Sequence, residues 1–349
     1  MDFRLIDEER YARQMEARVL PALAACRVEG WMDPAEEPGL PPVDGRLHYV
    51  CYDAAKFDDL REEGATGVFH GAIVISHGFT EFAAKYAEMI WYFLLAGYSV
   101  CMMEHRGHGY SARDVAEDHV VYIDDWRRYV ADLAAFAGTV GRTYADGQPM
   151  HLYCHSMGGG IGAAVLEQHP TLFDKAVLSS PMIAPATGVP NWLAAAAAEV
   201  LCACGLGRRA VFGQGPMDPE FRPEEHEGAS LARVRWYHDQ RLADPHHRTN
   251  AAAFSWVRQA LRLSRAVQRP SACDRIETPI LLFQSGRDVW VLNEPQDRFV
   301  ARVRDGGDDI ERVRYDAAVH EIFSMPNATL GDYLTRILDF YGSPQLVIA

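Results

Sequence analysis

Three polar residues, Ser156, Asp288 and His320, follow one another along the chain in the order nucleophile, acid, base, the order that acyl-transfer chemistry at the end of an open sheet uses. Ser156 lies in YCHSMGGG, after a short apolar run and before the small-residue start of a helix. A serine there sits on a strand-to-helix turn so tight that only small neighbours fit, and its Oγ points away from the sheet. A hydroxyl is a poor nucleophile without a base. His320, in YDAAVHEIFSM, would take its proton, and Asp288, in FQSGRDVWV, would fix the imidazole tautomer and stabilise its charged form. Singly, each residue has a plainer reading: a Gly-rich bend, a turn-capping aspartate, a surface-loop histidine. Their joint order favours chemistry.

An oxyanion needs donors as well. The Met157 amide falls at a helix N-terminus, where free N–H groups and the helix dipole favour negative charge. AIVISHGFTE runs a strand into a glycine-loosened loop, which makes the Phe79 amide the natural second donor. His77 in that loop is expected to hold it by hydrogen bonds rather than act as a base. In EHRGHGYS, Gly107 and Gly109 read as turn formers and His105 and His108 as loop-fixing groups. Their H-x-x-H spacing lies on no helix that would put both on one face, so no metal is expected. His246 and His247 are adjacent and read as surface residues. Neither G-x-G-x-x-G nor G-x-x-x-x-G-K-[ST] occurs, and no cofactor is expected.

The elements that must position these groups follow from apolar runs. Strands are expected at Leu47–Tyr52, Ala72–Ser76, Ser99–Glu104, His151–Cys154, Ala176–Ser179, Ile280–Gln284 and Ile310–Tyr315. Helices are expected at Lys85–Ala96, Ile123–Val140, Met157–Gln168, Glu294–Val303 and Ala328–Tyr341, with a helical lead-in over Glu8–Cys26 and a link rich in Pro, Gly and acids over Asp33–Gly45. Such alternation implies an α/β fold with a mostly parallel sheet covered on both faces. From Pro181 to about Ala272 the rhythm stops: no strand pattern appears, only helical stretches among Pro and Gly. That interval reads as a helical cap, residues 181–271, inserted in a core formed by residues 1–180 and 272–349. Ligands bind at the carboxyl ends of strands in such sheets, and the insertion would lie above that site.

Composition narrows the partners. A net charge of −14 argues against a nucleic-acid partner held by phosphate contacts and against general attraction to anionic lipid. Seven cysteines, an odd number with no C-x-x-C pair, read as free thiols in a reducing compartment. The polar, acidic start of the chain shows no secretory signal, and Val189–Gly207 is too weakly hydrophobic for a membrane span. A cytoplasmic protein is expected, peripheral at the inner face of the membrane if the cap meets lipid.

Together, HGFTEFAAKYAEM, GYSVCMMEHRGHGYSAR, HSMGGG, SGRDVWV and HEIFSM resemble the α/β-hydrolase superfamily, in particular its bacterial lysophospholipase and monoacylglycerol lipase branch, the serine aminopeptidase S33-like hydrolases. SLARVRWYHDQRLADPHHRTNAAAFSWVRQAL is similar to the cap of the lysophospholipase members. The resemblance implies the α/β-hydrolase fold, a Ser156–Asp288–His320 triad, an oxyanion hole from Phe79 and Met157, and a cap forming an acyl-chain tunnel. Two positions depart from it: Cys154 replaces the usual first glycine of the nucleophile turn, and Glu104 stands where aspartate is common. The expected activity is hydrolysis of a single-chain lipid ester, a monoacylglycerol or lysophospholipid, through an acyl-enzyme. Esterase, thioesterase or amidase action on small non-lipid substrates, and a catalytically silent binding protein, stand as alternatives. Trp192, Leu193, Val200 and Leu201 are placed at the cap mouth, meeting lipid or acyl chain, or else packing the cap onto the core. Oligomeric state is not legible.

Overall fold

The computed structural model describes residues 4–57 and 66–342. Its strands are β1 (Arg27–Met32), β2 (Leu47–Tyr52), β3 (Gly71–Ser76), β4 (Tyr98–Met103), β5 (Val120–Val121), β6 (Met150–His155), β7 (Lys175–Ser179), β8 (Ala251–Ala252), β9 (Ile280–Ser285) and β10 (Ile310–Tyr315). Eight of them form one sheet in the order β1-β2-β4-β3-β6-β7-β9-β10. All pairs from β4 to β10 are parallel, while β1–β2 and β2–β4 are antiparallel. This is the α/β architecture expected from the sequence, and seven of the eight strands lie within one residue of the expected runs. The eighth, β1, falls between the lead-in helix and the acid-rich link and was not anticipated; at the sheet edge its residues alternate between exposed and half-buried.

Strands β3, β4, β6, β7 and β9 are buried along their whole length because helices cover both faces. Period-two alternation splits their side chains between two cores. Val74, Leu152, Cys154, Leu178 and Leu282 enter one; Ile73, Ile75, Tyr153, Val177, Leu281 and Phe283 enter the other. Helix Met157–Gln168 follows β6, helix Asn293–Asp305 follows β9, and helix Asn327–Gly342 follows β10. The lead-in is helical from Glu8 to Cys26, with the Asp7 carboxylate accepting from the Glu9 amide at 3.0 Å.

Between β7 and β9 the chain forms helices Asn191–Ala203, Leu231–Ala243 and Phe254–Val267. The third packs against both the first and the helix after Ser156. One short strand does occur here, contrary to the sequence reading: β8 pairs in parallel with β5, two residues each, and ties the insertion to the core. A second tie is buried. Arg233 of the middle helix grips both oxygens of Glu88 at 2.8 Å, a planar fork on a carboxylate.

Candidate active site

The turn between β6 and helix Met157–Gln168 holds Ser156 at φ 51° and ψ −117°, a conformation that L-residues avoid. It is locked from three sides. The Ser156 amide donates to Ser179 O at 3.1 Å, and its carbonyl accepts from the Gly159 and Met182 amides, each at 2.8 Å. The following glycines are required by space: a Cβ on Gly158 would lie 2.1 Å from Ser76 O, and one on Gly159 2.5 Å from Pro181 Cβ.

Cys154, the departure from the hydrolase pattern, is fully buried, and its room comes from one turn further along. A Cβ on Gly162 would meet Cys154 Sγ at 2.4 Å, so the missing methyl of Gly162 is the space the thiol occupies. Burial pushes this thiol well above its usual pKa, which leaves it an inert packing group.

Asp288, with its side chain fully buried in the turn after β9, is both turn cap and acid. Its Oδ1 accepts from the Trp290 amide at 2.9 Å and the Val291 amide at 3.0 Å; its Oδ2 lies 2.7 Å from His320 Nδ1. The two amides aim the second oxygen at the imidazole. His320 enters from the loop after β10. Its ring centroid is 4.9 Å from that of His155, the residue before Ser156. The turns after β9 and β10 thus bring Asp288 and His320 together, beside the residue that precedes Ser156.

The Phe79 and Met157 amides face no hydrogen-bond acceptor among the described residues. The loop carrying Phe79 is held from within. His77 Nδ1 donates to Gly78 O at 2.8 Å, and its Nε2 accepts from the His105 amide at 2.8 Å, which fixes the neutral tautomer. His105 Nε2 lies 2.9 Å from Ser76 Oγ, and His108 Nδ1 donates to Arg106 O at 3.0 Å. Burial, reinforced for His105 and His108 by the neighbouring histidines, depresses the pKa of all three. They fix loops. Glu104 holds a second junction: its oxygens accept from the Ala83 amide at 2.9 Å and the Tyr110 amide at 2.8 Å, and meet His48 Nδ1 at 2.8 Å.

One of the two histidines of the insertion departs from its surface reading, while His246 remains exposed. His247 is buried, its ring stacked on Phe82 at 3.9 Å and 5°, while His246 stacks on Tyr110 at 4.2 Å. The aromatic faces of Phe82 and Tyr110 supply the burial, and neither partner is a sequence neighbour. Phe79 in turn packs its ring against Trp256 at 4.1 Å. The insertion therefore rests on the loops that carry Phe79 and Glu104.

Of the residues placed at the mouth, Trp192, Leu193 and Val200 are exposed, Trp192 by 70%, and Leu201 is half-buried. Ala195 and Ala198 form the buried side of that helix instead. Packing onto the core is thus the work of the alanines. Beside them, Val289 and Trp290 of the acid turn are exposed by 72% and 67%, a feature that sequence reading passed over because FQSGRDVWV reads as strand and turn. The two segments are joined: Pro185 bridges Val291, the Ala186 amide donates to Trp290 O at 2.8 Å and the Leu292 amide to Ala184 O at 3.0 Å. Among the described residues no helix is long and apolar enough to cross a membrane.

Known proteins are similar to this chain in sequence or in fold. Lysophospholipase L2 of Escherichia coli (strain K12) is 27% identical over 296 residues, covering 77% of this chain and 79% of that protein. A monoacylglycerol lipase of Mycolicibacterium smegmatis is 26% identical over 262 residues, 74% of this chain and 84% of its own. Among solved structures, a carboxyl esterase from Bacillus coagulans superposes with a TM-score of 0.69 at 15% identity, covering 90% of this chain and 97% of that one. A soluble variant of monoglyceride lipase from Saccharomyces cerevisiae gives 0.64 at 16%, covering 89% and 96%. Both are likenesses of fold. The family model for serine aminopeptidase, S33 (Hydrolase_4) matches residues 68–327, and the chain belongs to that family, a serine hydrolase on the α/β-hydrolase fold.

Proposed function

We propose that this protein hydrolyses the carboxylic ester of a single-chain lipid, a monoacylglycerol or a lysophospholipid, through an acyl-enzyme at Ser156. Ser156 Oγ attacks the carbonyl as His320 takes its proton, with Asp288 holding the imidazolium. The amides of Phe79 and Met157 hold the oxyanion, and the N-terminus of helix Met157–Gln168 adds its dipole. His320 then protonates the leaving alcohol. Water, deprotonated by the same histidine, releases the fatty acid. Residues 181–271 act as the cap of a core formed by residues 1–180 and 272–349.

The observation that carries the lipid reading is the apolar face beside the acid turn. Val189, Trp192, Leu193, Val200, Val289, Trp290 and Leu292 are all exposed there, and the one charged residue of helix Asn191–Ala203, Glu199, is paired with Arg262 at 2.6 Å. An exposed apolar surface of this kind suits a lipid aggregate or membrane surface, from which a single-chain substrate would be drawn. The names of the relatives, lysophospholipase L2 and monoacylglycerol lipase, support the same class.

The test is hydrolysis of monoacylglycerols and lysophospholipids by the purified chain, with Ser156→Ala as control and a fluorophosphonate probe reporting the nucleophile. Activity on either lipid is expected, with labelling lost and turnover reduced by about 10⁵-fold or more in Ser156→Ala. A series of aryl esters decides the acyl class. A steep preference for acetyl over decanoyl would overturn the lipid reading in favour of a small-ester hydrolase. No labelling and no ester turnover would mark a silent binding protein.

A further inference from the structure

Beneath the Phe79 loop lies a charged network that the mechanism above does not use. Glu81 and Lys85, i and i+4, are both buried. The Glu81 carboxylate accepts from the Gly78 amide at 2.5 Å, the Tyr86 hydroxyl at 2.5 Å and Lys85 Nζ at 2.6 Å, and meets His155 Nδ1 at 3.2 Å. Lys85 also pairs with Glu321, the residue after His320, and its Nζ stands 4.2 Å over the ring of Tyr237 from the insertion. Ser324 Oγ donates to Glu321 Oε2 at 3.0 Å. One buried cation therefore joins the oxyanion loop, the histidine loop and the insertion.

The geometry at Gly78 gives this network a task. Its N–H is bound by Glu81; its C=O accepts from His77 Nδ1 and, more weakly, from the Glu81 amide at 3.4 Å. The described peptides contain no cis bond, so the next N–H, that of Phe79, points opposite to the fixed Gly78 carbonyl. The loop needs such restraint, because Thr80 beside it holds φ 61° without being glycine. A neutral glutamine could accept the same bond at lower burial cost. The charged acceptor makes a shorter and stiffer bond. Its own negative field would oppose an oxyanion nearby, and Lys85, shared with Glu321, offsets part of it.

We propose that Glu81 is a positioning residue for catalysis: held by Lys85, its carboxylate fixes the Gly78–Phe79 peptide so that the Phe79 amide faces the carbonyl oxygen developing charge at Ser156. The inference rests on the serine-hydrolase reading of Ser156 and the Phe79 amide. Burial alone would raise the Glu81 pKa, but Lys85 and His155 outweigh it and keep the group well below the usual carboxylate range, so the restraint persists wherever the enzyme works.

The test compares Glu81→Gln, Glu81→Ala and Lys85→Met in the full chain. Each is assayed on an ester that the wild type turns over, with sites counted by the acyl-enzyme burst. A trifluoromethyl ketone, which forms a tetrahedral oxyanion on the serine, serves as the second probe. Glu81→Ala is expected to lower kcat per titrated site on the order of 100-fold, with KM within about threefold and ketone affinity falling in parallel with kcat. Glu81→Gln, which keeps an acceptor and leaves a balanced Lys85–Glu321 pair, is expected to recover about tenfold of that loss. Lys85→Met, which leaves two carboxylates uncompensated, is expected to fall at least as far as Glu81→Ala. If the variants lose only melting temperature or titratable sites, with kcat per site and ketone affinity within threefold of wild type, Glu81 is a folding residue and the proposal falls. Glu81→Gln, the mildest change, keeps that comparison open if Glu81→Ala does not fold. Failure of the wild type itself to take a fluorophosphonate label at Ser156 would instead overturn the reading on which the proposal rests.

Discussion

Around the carboxyl ends of β3, β6, β9 and β10, polar and charged side chains are buried and bonded to one another: Asp288 to His320, His77 to Gly78, Glu81 to Lys85. On helix Asn191–Ala203 and the acid turn a few residues away, large apolar side chains stand in solvent: Trp192, Val200, Val289, Trp290. Each region inverts the usual placement of its residue types. In the first, burial strengthens every dipole and holds it in one orientation, as charge development in a transition state demands. In the second, nothing among the described residues covers the apolar face. On the proposed function, fixed polarity serves the reaction and exposed apolar area the encounter with lipid.

The largest expected effect tests the buried region. Asp288→Asn keeps the turn cap but loses the charge that faces the imidazole and offers the wrong tautomer. Turnover should drop by about four orders of magnitude while the melting temperature stays close to wild type. A loss under tenfold would show that the pair is structural.

The exposed region is expected to respond in another way. Trp192→Ser with Trp290→Ser should reduce binding to zwitterionic vesicles, and hydrolysis of lipid presented in them, by on the order of 10- to 100-fold. Turnover of a monomeric short-chain ester should be unchanged. If both substrates suffer equally, the two regions are one unit and the contrast fails.

Acid separates them again. His77, His105, His108 and His151 are held neutral by burial, His151 with its pKa lowered to about 3. Unfolded histidines take up protons near pH 6.5, so this stability is present above about 6.5 and is lost as pH falls toward the depressed folded values. Each such group costs about 1.4 kcal/mol per pH unit over that window. His48, raised by Glu104 and Glu29 against the lowering effect of burial, has the opposite sign and loses its share as pH rises. With these four, and His247 lowered by burial as well, against one, the urea midpoint should be lower at pH 5 than at pH 7, and a flat profile would refute the assignment of neutral histidines.

A smaller effect probes the packing behind Ser156. Gly162→Ala places a methyl against Cys154 Sγ and should cost about 1–3 kcal/mol. Cys154→Gly in the same chain should return most of it. Additive losses in the double variant would mean that the thiol and the missing methyl are independent.

Much of this was legible in residue order. Ser156 and Asp288 each follow an apolar run and His320 follows the mixed run IERVRY, and the structure places the three runs as parallel strands of one sheet, so reading strand ends was enough to bring Asp288 to His320. Strand β1 escaped because Gly30 interrupts RVEGWM, where glycine ordinarily weakens a strand; here it leaves space for the ring of Tyr49. His247 escaped for a different reason. Its burial depends on Phe82, far away in the chain, and adjacency to His246 carries no sign of it. Glu81 stood inside a quoted motif without a role. Its i,i+4 spacing to Lys85 just past the glycine loop was the available signal, but such pairs are commonplace on exposed helix surfaces, and only burial sets this one apart.

The strand order also has a consequence for synthesis. On the ribosome the segments emerge as oxyanion loop, nucleophile, insertion, acid and base, and the base follows β10, the edge strand added last to the sheet. A nascent chain that has already folded its serine turn carries no histidine to activate it until β10 docks beside β9. On the proposed mechanism, esterolysis therefore begins only as the final strand and helix close the sheet, and any product ending before His320 lacks the proposed base.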